Sequence, residues 1–291
     1  MEQEMNKKQT ELTQEDMDVI WKMILNAMKE ETDLEENLIY LIQIADHTED
    51  EVDRNKYLKK ALELDPHLYQ AEMVLIDHTY PVLKDKELKL HDLLEKVEEY
   101  FKKQVVMPEE YAADYVAHKD HNGYLQIFKN YVGTIFRRGQ LRKGIDKGFD
   151  LLLLNEEDPM CIRYDILAAL AELEEEEKAK ALFDRYAEDQ TACDLFAMTV
   201  LYHKLDQPEK AEEYLVELYR LVPDLEYACH EIWNPTQLTG EILSERIIPE
   251  NTWEAVVKYH TDHPYLSLQV EELMPWMIVN QPKDTGMGLE Q

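Results

Sequence analysis

The segment PEKAEEYLVELYRLVPD, residues 208–224, carries an apolar stripe of Ala211, Tyr214, Leu215, Leu218, Tyr219 and Val222. Steps of three and four residues put these side chains on one face of a helix. The same spacing recurs at Ala179, Leu182, Phe183 and Tyr186, and at Ile145, Gly148, Phe149, Leu152 and Leu153. It recurs again at Leu90, Leu93, Leu94 and Val97, and at Tyr57, Leu58, Ala61 and Leu62, where the first slot is the polar Arg54. The first slots stand at 54, 90, 145, 179 and 211, with gaps of 36, 55, 34 and 32 residues. Three gaps fall near the ~34-residue period of stacked helix–turn–helix units, and the fourth carries ~20 extra residues. One such unit cannot bury its apolar face alone, so the recurrence implies a stack with a continuous core.

Each stripe helix is preceded by a second apolar helix, most clearly MCIRYDILAALAEL at residues 160–173. Its Ala168, Ala169 and Ala171 are small enough for neighbouring axes to approach closely. Asp65-Pro66, Asp158-Pro159 and Pro223-Asp224 punctuate the units, since proline stops one helix and fits the first turn of the next. Glycine is scarce. There are eight, and the first is Gly123. Hairpins and phosphate-binding loops need glycine for positive φ or close backbone approach, so helices joined by polar turns are the reading. The fold class is therefore all-α, a right-handed solenoid of about five helix–turn–helix repeats with an N-terminal helix and C-terminal capping helices.

The expected organisation follows from where the pattern holds. Residues 1–12 are polar and read as a disordered N-terminus, and Met17, Ile20, Trp21, Ile24, Leu25 and Met28 then form a helical stripe. The repeat domain spans 13–235, with an insertion near 104–123 that holds Met107-Pro108 and the turn-rich run Ala117 to Gly123. A C-terminal helical cap covers 236–281, broken at Pro264, and residues 282–291 read as a disordered tail. The net charge of −31 repels phosphate backbones and anionic lipid, so neither nucleic acid nor a membrane is an expected partner. The N-terminus has no apolar signal core, and no apolar run reaches ~20 residues, which points to a cytoplasmic protein. Cys161, Cys193 and Cys229 are sparse and widely spaced, as free thiols are.

The Ala/Tyr/Leu stripe, KALELDP at residues 60–66 and the ~34-residue period resemble tetratricopeptide repeats. Leu154-Asn155-Glu156-Glu157-Asp158 followed by Arg163-Tyr164 is similar to the LNPNDNQGxRY-type segment of the suppression-of-tumorigenicity-like tetratricopeptide family, including its bacterial members. The similarity runs on through Phe183, Asp184, Arg185 and Tyr186 to Tyr202, and covers residues 110–235 best. Asn122-Gly123-Tyr124 and Asn130-Tyr131 stand where that family has an aromatic GxFW-type motif and an RPY triplet. The resemblance implies a helical scaffold and supplies no catalytic residues.

Candidate chemistry is sparse. His118 and His121 share a helical face with Asp114 near, and His260 and His263 repeat the spacing. Both pairs lack the glutamate base of a zinc protease motif, and ordinary polar surface explains them. Cys229-His230 are adjacent on a helix and point in different directions. The acidic run Glu172 to Glu177 reads as a solvated turn between helices. No catalytic site, metal site or cofactor is assigned, and the chain is not read as an enzyme.

One segment inverts the overall sign. Residues 129–148 hold Lys129, Arg137, Arg138, Arg142, Lys143 and Lys147 against the single acid Asp146. Acids of neighbouring repeats could neutralise it, or it could dock a carboxylate. In such arrays the first helix of each pair lines a concave groove, which gathers Asn130, Arg137, Arg138, Tyr164, Phe196, His203, Lys204, Tyr227 and His230 as candidate peptide-binding residues. The expected function is a protein- or peptide-binding scaffold or adaptor. The partner would be a protein or peptide, with an acidic or C-terminal carboxylate group as one option. The alternatives are a cytoplasmic sensor of a small signalling peptide without a DNA-binding domain, and a metal-dependent hydrolase built on the HxxH pairs.

Overall fold

The structure is a computed structural model that describes residues 50–104, 121–244 and 248–282, together with Leu41, Ile44, Ala45 and Thr48. Among these residues every regular element is helical and there is no strand. The expected disordered N-terminus, the Met17–Met28 stripe, most of the 104–123 insertion and nearly all of the 282–291 tail lie outside the described residues. The chain divides into two compact units, Met1–Pro81 and Val82–Gln291, a boundary inside the 13–235 span read as one repeat domain.

In the first unit, α1 (Glu51–Leu64) packs on α2 (Tyr69–Thr79). Asp50 caps α1 by accepting from the Asp53 amide at 2.9 Å, which satisfies one of the four free N–H groups of the first turn. Tyr57, Leu58 and Ala61 of the stripe are buried with Leu41, Ala45 and Ala71. The polar first slot has its own use. Arg54 donates to the Thr48 carbonyl from Nε (2.9 Å) and Nη2 (2.7 Å), and its Nη1 lies 3.1 Å from His78 Nε2.

The second unit begins with α3 (Leu83–Gln104), α4 (His121–Arg137), α5 (Leu141–Leu154), α6 (Ile162–Glu172), α7 (Glu176–Arg185), α8 (Ala192–Lys204) and α9 (Pro208–Leu221). It continues with α10 (Leu225–Trp233), α11 (Gln237–Ser244), α12 (Trp253–Asp262), a 3-10 helix (Pro264–Gln269) and α13 (Val270–Val279). From α3 to α9 each helix packs against the next in the α3–α4, α4–α5, α5–α6, α6–α7, α7–α8 and α8–α9 pairs, and α6 also touches α4 and α8. The stripe residues Leu90, Leu93, Val97, Ile145, Leu152, Ala179, Leu182, Ala211, Leu215 and Leu218 are buried in these contacts. Leu153 departs from the stripe reading: it is 67% exposed.

Three turns have the same geometry. After α4, α6 and α8 the chain passes through the left-handed region at Gly139 (φ 73°), Glu174 (φ 58°) and Asp206 (φ 53°), positions 35 and 32 residues apart. In each, the left-handed residue's amide bonds three residues back, to Phe136, Ala171 or His203. The next amide bonds five residues back, from Gln140 to Ile135, from Glu175 to Leu170 and from Gln207 to Tyr202. This pair of bonds is the Schellman closure, which satisfies carbonyls left over at a helix C-terminus. Gly139 adopts it without strain, whereas Glu174 and Asp206 carry a Cβ in the same conformation.

Two glycines on α5 mark close helix–helix approach. A Cβ on Gly144 would fall 2.5 Å from the Phe136 ring on α4, and one on Gly148 would fall 2.6 Å from Ile166 on α6.

Candidate functional site

The predicted groove residues sit on α4, α6, α8 and α10, at or just beyond the helix ends in the case of Arg138. A further layer of the chain packs on α6 and α8. The last segment folds back, with α12 against α8, α10 and α11, and the 3-10 helix against α6 and α8. Asn251 accepts from the Ala192 amide at 2.9 Å, and Thr252 caps α12 by accepting from the Ala255 amide at 3.2 Å. Val256, Val257, Tyr259, Leu266, Leu273, Met274 and Met277 are all at most 5% exposed. Full burial of such a side chain contributes ~1.5–3 kcal/mol, so this segment is part of the core.

That layer covers three of the candidate residues. Phe196 is 1% exposed, with the rings of Tyr259 and His260 at 6.2 and 6.4 Å. Tyr164 meets Tyr259 edge-on at 6.3 Å, and the Tyr259 hydroxyl donates to the Tyr164 carbonyl at 3.1 Å. Burial pushes the Tyr164 phenol up to about 12. His203 lies against Trp276 of α13 at 5.0 Å, and burial pulls its imidazole below the ordinary range. A signal for this layer exists in the sequence. Ala192 to Tyr202 is buried at every position, and ACDLFAMTVLY offers no continuous polar face. A helix apolar all round is surrounded on all sides.

Lys204 is internal as well. Its side chain is 7% exposed and donates to the Glu172 carbonyl (2.6 Å) and carboxylate (2.8 Å). The acidic run is thus more than a solvated turn. Glu175 receives Arg142 of α5 at 2.6 Å and Lys178 at 3.2 Å, while Glu176 receives Lys210 of α9 at 2.8 Å. Cations from the units on both sides converge on one turn, tying successive pairs together.

The basic segment is largely answered by carboxylates. Arg138 and Lys143 both bind Glu87 of α3, Lys143 at 2.6 Å. Burial alone would raise the Glu87 carboxyl, but these two donors outweigh it and hold the group below its ordinary range. Arg142 reaches Glu175, Lys147 pairs with Asp150 at 2.7 Å, and Lys129 donates to the Met160 carbonyl. Arg137 is exposed and bonds within its own turn, to Gly133 O (3.4 Å) and Thr134 Oγ1 (3.1 Å). Asn130 is half-buried and its carbonyl accepts from Thr134 Oγ1 at 2.8 Å. Tyr227 and His230 on α10 are exposed, Tyr227 by 54% with Trp253 beside it at 5.9 Å.

The NEEDP…RY segment forms the junction between α5, α6 and α8. Asp158 is buried in the left-handed conformation and accepts from the Ile162 (2.8 Å) and Arg163 (3.0 Å) amides at the start of α6. The Arg163 guanidinium lies over the rings of Tyr164 (5.0 Å) and Tyr186 (4.7 Å) and donates to the Asp189 carbonyl at 2.8 Å. It also lies 3.7 Å from Asp194, which closes a capping box with Thr191 at the start of α8.

Reactive groups are separated or paired. Cys161, Cys193 and Cys229 are free, and burial pushes the Cys229 thiol up to about 12 while the adjacent His230 faces solvent. His118 and the side chain of His121 lie outside the described residues. His263 contacts Asp165 and the Tyr259 carbonyl, at 3.0 and 2.7 Å. Among the described residues, the exposed His91, Asp92 and Glu95 of α3 have ligand atoms within 4.8 Å of one another, and Lys89 already pairs with Asp92 at 3.0 Å. Also among the described residues, no helix is long and apolar enough to cross a membrane. Neither a family model nor a curated protein matches the sequence.

Proposed function

We propose that the chain is a tetratricopeptide-like helical-repeat scaffold that acts by binding another protein or peptide. The observation that carries this reading is the recurrence of one Schellman turn at Gly139, Glu174 and Asp206, 35 and 32 residues apart. Units repeated at this period stack on their neighbours and expose extended helix faces, which suit macromolecular contact. The resemblance to the suppression-of-tumorigenicity-like family belongs to the same proposal, with its diagnostic segment at the α5–α6 junction.

The partner on this reading docks on helix faces left outside, because the C-terminal segment packs on α6 and α8. That occupancy also counts against a small signalling peptide held in the same place. Arg138, Arg142, Lys143 and Lys147 pair with carboxylates, whereas the exposed Arg137 bonds only to Gly133 and Thr134 among the described residues, which makes it the candidate contact for an acidic partner.

The test is affinity purification of the full chain from its native cell after chemical cross-linking, followed by quantitative mass spectrometry. A partner retained near stoichiometry, cross-linked to outward helix faces, supports the scaffold. Loss of that partner on Arg137→Glu would assign the contact to the basic segment. No partner above the background of an unrelated acidic helical protein would reject the scaffold reading.

A further inference from the structure

The chain's acids are not neutralised evenly. Around α7 and α3, cations of neighbouring helices meet Glu87, Glu172, Glu175 and Glu176. Residues 224–254 differ. They contain Asp224, Glu226, Glu231, Glu241, Glu245, Glu250 and Glu254 against the single base Arg246. Of these acids, the described ones have no cation of the described residues within ion-pair distance. Glu231 is fixed by hydrogen bonds from Thr239 (2.6 Å) and Thr236, which hold its carboxyl ionised below the ordinary range.

The same stretch carries exposed aromatic surface. Tyr227 on α10 is 54% exposed and its ring lies 5.9 Å from that of Trp253 at the start of α12, while Trp233 at the end of α10 is 42% exposed. Glu226 and Glu254 adjoin Tyr227 and Trp253 in sequence, and Glu231 lies one turn beyond Tyr227. Elsewhere in the molecule, aromatic faces already hold cations: Arg163 covers Tyr164 and Tyr186, and Lys210 covers Tyr202. Among the described residues no lysine or arginine is recorded over Tyr227 or Trp253. Ring faces attract cations through their quadrupole, and an acidic rim with no ion-pair partner among the described residues adds attraction and selects against anions.

We infer that the Tyr227–Trp253 face with its acidic rim is a docking site for a basic segment of a partner protein, whose arginine or lysine side chains lie on the two rings. This inference rests on the scaffold reading and gives that scaffold a specific surface and partner chemistry. The choice of occupant comes from charge. The six described acids of this stretch, with no ion-pair partner among the described residues, disfavour an acidic peptide, and an aliphatic partner would leave the carboxylates unused.

Selection from a random twelve-residue peptide library by the full immobilised chain tests it, followed by fluorescence anisotropy of the enriched peptides. Enriched peptides should be net positive. Their affinity should fall about fivefold or more with Tyr227→Ala and with Glu226→Lys/Glu254→Lys. The matched reversal Glu209→Lys/Glu213→Lys on α9, which changes net charge equally, should alter it less than twofold. Enriched peptides that are net neutral or negative overturn the inference. So does equal weakening by both reversals, which would mark attraction to the acidic chain as a whole. Peptides that bind yet ignore Tyr227→Ala remove this face and leave the scaffold reading standing. Failure to enrich any peptide, with no partner in the cross-linking experiment, removes both.

Discussion

His263 lies 3.0 Å from the Asp165 carboxylate through Nε2, and its Nδ1 lies 2.7 Å from the Tyr259 carbonyl. The ring is 5% exposed and joins residues 98 positions apart. It pins the bend between α12 and the 3-10 helix to the first turn of α6. A hydrogen bond to a charged group contributes ~1.5–3 kcal/mol, and removing one partner strands the other. His263→Ala should therefore lower unfolding free energy by ~2 kcal/mol in urea titrations. A double-mutant cycle with Asp165→Ala should return a coupling of ~1 kcal/mol or more. Additive losses would show that the pair contributes nothing beyond packing.

Acid should loosen the same layer. Burial, with His263 adding to it, pulls His260 down to about 4, while the unfolded chain's imidazole titrates near ~6.5. The fold favours the neutral ring, so its stabilisation is fully present above ~6.5 and is lost as pH falls through about 4. His203 is shifted in the same direction. Asp158 and Asp194, raised by burial, act oppositely, since protonation relieves their desolvation as pH falls. The diagnostic is therefore a difference. His260→Phe should remove an acid loss of ~3 kcal/mol between pH 7 and pH 4, read from urea midpoints by circular dichroism. Parallel pH profiles for the two proteins would refute it.

The three matched turns differ in strain. Glu174 and Asp206 hold a side chain at positive φ, which costs ~1 kcal/mol relative to glycine. Glu174→Gly should raise stability by ~0.5–1 kcal/mol despite loss of its 3.9 Å approach to Lys204. Gly139→Ala should lower it by ~1 kcal/mol, and thermal unfolding reads both signs. A stabilising Gly139→Ala would contradict the left-handed geometry.

Gly148 should resist even a methyl group. Alanine normally stabilises a helix by ~1 kcal/mol over glycine, but here the added Cβ would meet Ile166 at 2.6 and 2.8 Å, at a side chain that is 0% exposed. Gly148→Ala should destabilise by a net ~1–2 kcal/mol, and Ile166→Val in the same chain should recover part of that loss. Two single losses that simply add would indicate that α5 and α6 do not touch at this point.

Much of the architecture is legible in the stripe. Spacing of three and four residues fixes which face a helix buries, so Leu90, Ile145, Leu152, Ala179, Ala211 and Leu215 are all found inside. The candidate groove is a different matter. Phe196, Tyr164 and His203 follow from the stripe alignment and from the first helix of each pair lining the groove in such arrays, and these assign a face without saying what covers it. The acidic run at Glu172–Glu177 likewise reads as a solvated turn, because the partners of Glu172 and Glu176 lie 32 and 34 residues away.

Helical periodicity, scarce glycine and an acidic, polar surface belong to local chemistry, and the sequence determined them without help. Tertiary structure decided that residues 251–279 return to cover α6 and α8, which positive charges are already paired, and that Tyr227 stays exposed beside the half-buried Trp253. Those outcomes depend on which distant apolar face closes over another and on the pairing of charges between helices. Neither is encoded within the reach of one helical turn.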